Sequence, residues 1–171
     1  MLYYTSLLFI TNVIHSSFVC CFDCEYATLI LTSTSILHHA KLYDNYIGKR
    51  IVYYCDFSSV FSIFFAGLYK LYTIQNIIGF TSTIKLNIAS LIVTTALGTT
   101  TVFFDNYLKA FKINWRNIHA GFHLLSCVTG HLLLLNYKKA YPNKCYSCPA
   151  NGMGTTALYY KTFGPLDVWT F

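Results

Sequence analysis

Along its length the chain alternates between long apolar stretches and short polar links. A membrane-crossing helix needs about 20 mostly apolar residues. By that measure residues 2–22, 26–43, 51–71, 82–104 and 114–137 predict five helices. The links carry the charge: Asp23 and Glu25 in the first, Lys49 and Arg50 in the second, Lys109, Lys112 and Arg116 before the last. Residues 72–104 are the least regular. One good span with Lys85 snorkelling at its end accounts for them, and two short helices, making six in all, are the alternative. Beyond Lys138 and Lys139 the chain turns polar, with Pro142, Pro149, Pro165 and several glycines. The expectation is an all-α polytopic membrane helix bundle over residues 1–137 and a short extramembranous C-terminal tail over 138–171. The first stretch could instead be a secretory signal, but it lacks a positively charged start and a small-residue cleavage site.

Composition agrees with a membrane location. Charged residues are 11% and hydrophobic residues 55% of the chain, where a soluble domain carries about 25% charge. The net charge of +6 is scattered, with no Lys/Arg cluster interleaved with aromatics. Nucleic acid is therefore not an expected partner. Basic links beside membrane helices suit anionic headgroups, so membrane lipids are expected. An endomembrane or the plasma membrane is expected ahead of the mitochondrial inner membrane.

Within the last apolar stretch, His119 and His123 stand four residues apart. On a helix both rings leave one face, one turn above the other, which is how a helix offers two nitrogens to one metal ion. Asp56 lies in the apolar run Val-Tyr-Tyr-Cys-Asp-Phe. A carboxylate at mid-membrane costs about 2.5–3.5 kcal/mol even on a lenient scale, so a compensating partner is expected. With five antiparallel spans, His39, Asp56, His119 and His123 all fall roughly 5–12 Å below the same face at 1.5 Å rise per residue. Matching depth is what a shared site requires. Three imidazoles, a carboxylate and a serine such as Ser35 would suffice for zinc-assisted hydrolysis.

The pattern Ser35-x-x-x-His39, then Asp56, then His119-x-x-x-His123 resembles the CREST superfamily of membrane hydrolases. That group includes alkaline ceramidases, adiponectin/progestin-type receptors, haemolysin III proteins and the myomaker group. The resemblance implies that His39, His119 and His123 are zinc ligands, that Asp56 handles the reacting water, and that Ser35 is a supporting hydroxyl. It implies a zinc-dependent hydrolase of a lipid amide or ester, or a receptor-like relative. The family has seven helices, whereas residues 57–118 leave room here for one full helix or two short ones. His38 competes with His39, with Thr34 then in the serine position.

Other readings stay open. Histidines on different helices could clamp a haem in a small respiratory-chain subunit, or the buried polar residues could only stitch a scaffold or fusion-type protein together. His15 and His131 are expected as hydrogen-bonded helix contacts. The pairs Cys21/Cys24 and Cys145/Cys148 could close a four-thiolate zinc site, form disulfides or be palmitoylated, whereas Cys55 and Cys127 read as packing residues.

Overall fold

The computed structural model of the chain describes residues 2–40, 46–103 and 114–143. Among them the regular structure is entirely helical: α1 (Leu2–Leu7), α2 (Phe9–Phe18), α3 (Phe22–Ala40), α4 (Tyr46–Ile78), α5 (Ser82–Phe103) and α6 (Trp115–Ala140). Two of these, α4 and α6, are each long and apolar enough to cross a membrane. The expected 105–116 link and the tail beyond 143, with Cys145 and Cys148, lie mostly outside the described residues.

Local chemistry explains the boundaries. The first apolar stretch is not one helix: α1 gives way to α2 at Leu8, and α2 stops at Phe18. There Cys20 adopts a left-handed φ of 55°. Its N–H bonds Ser17 O at 3.1 Å and that of Cys21 bonds Ser16 O at 2.9 Å, a Schellman stop. The reversal delivers Cys21 directly to the start of α3. By contrast, α4 overruns the expected 51–71 span at both ends and is 33 residues long, about 50 Å. An apolar run marks where a helix meets hydrocarbon, not where it stops. With no proline or internal breaker, α4 continues until Gly79, whose φ of 71° ends it. Thr81 then caps α5, its Oγ1 accepting from Ile84 N at 3.3 Å. Asn114 caps α6, accepting from Arg116 N at 3.0 Å.

Helix α6 lies at the centre. It packs along α5 and also touches α1, α2 and α4, while α3 packs on α1, α2 and α4. The α5–α6 seam is polar: Asn87 donates to Thr129 O at 3.3 Å, and the Ser90 and Thr129 hydroxyls bond at 2.6 Å. On its other side α2 comes close because Gly130 has no side chain; a Cβ there would stand 2.5 Å from Asn12 Nδ2. Asn12 donates to Cys127 O at 3.1 Å. At one end of the bundle an apolar core gathers Val19, Cys21, Leu71, Ile74, Ile84, Leu134 and Tyr137. The opposite end holds Ser6, His39, Asp56 and His119. Trp115 Nε1 donates to Thr101 O there at 3.2 Å, fixing the start of α6 on the end of α5.

Candidate metal centre

The cap on Asn114 and the Trp115 contact set the rotation and height of the first turns of α6. His119 and His123 then project from one face. Their ring centroids are 4.7 Å apart, and Nε2 faces Nε2 at 3.0 Å. Helix α3 brings His39 against both rings, at 5.1 Å from His119 and 5.0 Å from His123. One nitrogen of each of the three lies within 4.8 Å of the other two, a set that could hold a metal ion. Two ligands of a tetrahedral zinc at 2.0–2.1 Å stand about 3.3 Å from each other, close to the separation of the two Nε2 atoms.

The hydrogen bonds behind the rings point the same way. His123 is 3% exposed, and its Nδ1 is held by Thr5 Oγ1 at 3.2 Å and Ser6 Oγ at 3.3 Å. Bonding at Nδ1 leaves Nε2 directed at His119 and settles which nitrogen faces the cluster. Ser35 is buried, and its Oγ bonds Ser6 Oγ at 3.1 Å. The Ser35 hydroxyl thus reaches the His123 ring through Ser6. Thr5 and Ser6 were absent from the sequence-level site. Hydroxyls one turn into the first helix, at the end the histidines share, are the signal that could have marked them.

Asp56 comes from α4. Its carboxyl groups with His38 and His39, one atom of each within 4.8 Å of the others, and Thr34 hydrogen-bonds to it. Both candidates for the α3 ligand thus sit at this end: His39 belongs to both triads, and His38 only to the one with Asp56. His39 Nε2, His119 Nδ1 and Asp56 Oδ1 are buried with no hydrogen-bond partner. Buried polar atoms are almost always satisfied. Three imidazoles with one nitrogen each within 4.8 Å of the others, and Asp56 grouped beside His39, form a donor set suited to a divalent cation.

The remaining two histidines are arranged differently. His15 Nδ1 and His131 Nδ1 bond each other at 2.8 Å, and His131 Nε2 bonds Thr11 Oγ1 at 2.9 Å. That contact leaves no space for a macrocycle between the two rings. Elsewhere, at the far end, Cys21 and Cys24 are joined as a disulfide. No family model, curated protein or solved structure matches the chain.

Proposed function

We propose that the chain is a polytopic membrane protein of five spans that acts as a zinc-dependent hydrolase on a lipid amide or ester, with its site beneath one face of the membrane. The observation that carries this reading is the convergence of His39 with His119 and His123, with Asp56 grouped beside His39 and buried polar atoms of His39, His119 and Asp56 lacking hydrogen-bond partners. The spans 26–43 and 114–137 that supply these histidines are separate in sequence, and an endomembrane or the plasma membrane suits a lipid substrate.

In this reading His39, His119 and His123 hold the ion. Zinc supplies a Lewis acid that brings a water's pKa towards about 7 and polarises an acyl carbonyl. Ser6 and Thr5 orient the His123 ring through Nδ1. Ser35 supports Ser6 from α3. Asp56 accepts the proton of the attacking water at Oδ1, while Thr34 keeps the carboxyl aimed. Apolar walls exclude bulk water and strengthen each of these interactions.

The test is metal analysis and an absorption spectrum of the full chain purified in detergent, with an assay for fatty-acid release from N-acyl and O-acyl lipids in mixed micelles. About one zinc per chain, no Soret band and chelator-sensitive release are expected. Neither metal nor turnover would leave a non-catalytic scaffold or fusion-type protein, and a Soret band would point to a haem subunit.

A further inference from the structure

The end of the bundle opposite the histidines carries chemistry that the hydrolase reading does not use. The Schellman stop after α2 places Cys21 immediately before α3, so Cys21 and Cys24 face each other across its first turn, Cα to Cα 5.3 Å, as a disulfide. Their environments are unequal. Cys21 is fully buried in the apolar core with Leu71, Ile74 and Tyr137, whereas Cys24 is only partly covered at the edge of that core. Between them in sequence sits Asp23, solvent-exposed, with Oδ1 3.2 Å from Cys21 Sγ. Its Oδ2 forms an ion pair with Lys70 of α4, whose ammonium also lies over the Tyr137 ring at 5.4 Å.

A disulfide that serves only as a cross-link has no use for a charged acceptor beside its buried sulfur. A reduced Cys21 does: its S–H would otherwise be a donor buried among apolar side chains, and Asp23 Oδ1 already stands at thiol hydrogen-bonding distance. The geometry satisfies both oxidation states. The ion pair with Lys70 holds the Asp23 carboxylate against the sulfur.

We propose that Cys21–Cys24, with Asp23 as acceptor and Lys70 as its anchor, is a reversible thiol–disulfide exchange site for a low-molecular-weight thiol of the glutathione type. An incoming thiolate attacks the more accessible Cys24 Sγ, and the Cys21–Cys24 bond breaks. The electron pair goes to Cys21 Sγ, which takes a proton from solvent and, as a thiol, hydrogen-bonds to Asp23 Oδ1. A second thiol then attacks the mixed disulfide at the small-molecule sulfur, releasing the oxidised small-molecule disulfide and leaving Cys24 as a thiol. Two electrons pass from two small thiols to the protein, and the reverse sequence restores the bond.

The experiment equilibrates the folded full chain in detergent with defined glutathione/glutathione-disulfide ratios. It then acid-quenches, alkylates, and reads Cys21 and Cys24 separately by peptide mass spectrometry. Joint, reversible conversion of the two cysteines is expected without loss of helicity. Asp23→Ala should shift the equilibrium about three- to tenfold towards the disulfide, the size of one lost thiol hydrogen bond. Lys70→Met should shift it the same way by less. Asp23→Asn, which keeps an acceptor oxygen, serves as the folding-safe variant and should fall between wild type and Asp23→Ala. A disulfide inert to glutathione in the folded chain, or an equilibrium unmoved by Asp23→Ala, would overturn the proposal. So would conversion of Cys21 without Cys24.

Discussion

Helix α6 presents histidines to two places, and the contrast between them identifies the site. At its lower position His131 has both ring nitrogens engaged, Nδ1 by His15 and Nε2 by Thr11. Among the described residues no third His, Cys, Asp or Glu joins this pair in a metal-capable group, and it is a cross-brace between α2 and α6. Two turns nearer the other end, His123 bonds Ser6 through Nδ1 and His119 Nε2 through Nε2, and a third ring, His39, joins the pair with its Nε2 unpartnered. Residue type and apolar surroundings are alike in both places. What differs is whether a third donor joins the pair and leaves buried polar atoms without hydrogen-bond partners.

That contrast can be broken most sharply at the ligands. Replacing His119, His123 or His39 by Ala should abolish stoichiometric metal uptake, measured by elemental analysis after dialysis, whereas His15→Ala and His131→Ala should leave it unchanged. Uptake that survives all three ligand variants would erase the distinction. Next in size is Asp56→Asn, which should lower lipid hydrolysis by about 10²–10⁴-fold, the usual contribution of a proton-transfer group, while the protein keeps its metal. If metal and turnover fall together, Asp56 is acting as a ligand. Ser6→Ala should weaken metal binding by about 10–100-fold, as loss of a hydrogen bond behind a ligating ring does, and Ser6→Thr should restore most of it. A titration with a competing chelator decides this. The smallest effect belongs to the cross-brace: Thr11→Val should cost about 1 kcal/mol or less of bundle stability, read by denaturation in detergent, with metal affinity unaltered.

Several features of this arrangement were legible along the chain. The helical class followed from long apolar runs and scarce charge, and the pairing of His119 with His123 from their spacing alone. A common depth for His39, Asp56 and the α6 histidines followed from counting residues inward from each link. Other features were not legible. The first apolar run gave no sign that it breaks at Leu8 and stops at Phe18, because the stop is a left-handed Cys20 rather than a glycine. The overrun of α4 past Leu71 was equally hidden, since hydropathy reports where a helix is apolar and not how far its backbone ladder extends. Ser6 was overlooked because one hydroxyl in an apolar helix is common, and the sequence does not say which hydroxyl a ring will meet.

Periodicity and composition act over a few turns, so the amino-acid sequence alone determined which stretches are helical, which faces carry imidazoles and at what height they lie. The tertiary structure decided the rest: that His39 rather than His38 joins the α6 pair, that Ser35 meets Ser6, and that His15 and His131 bond each other. Each of those outcomes depends on the rotation of one helix against another. That rotation is set by close approaches such as Gly130 on Asn12 and Trp115 on Thr101, contacts between residues far apart in the chain that no local pattern encodes.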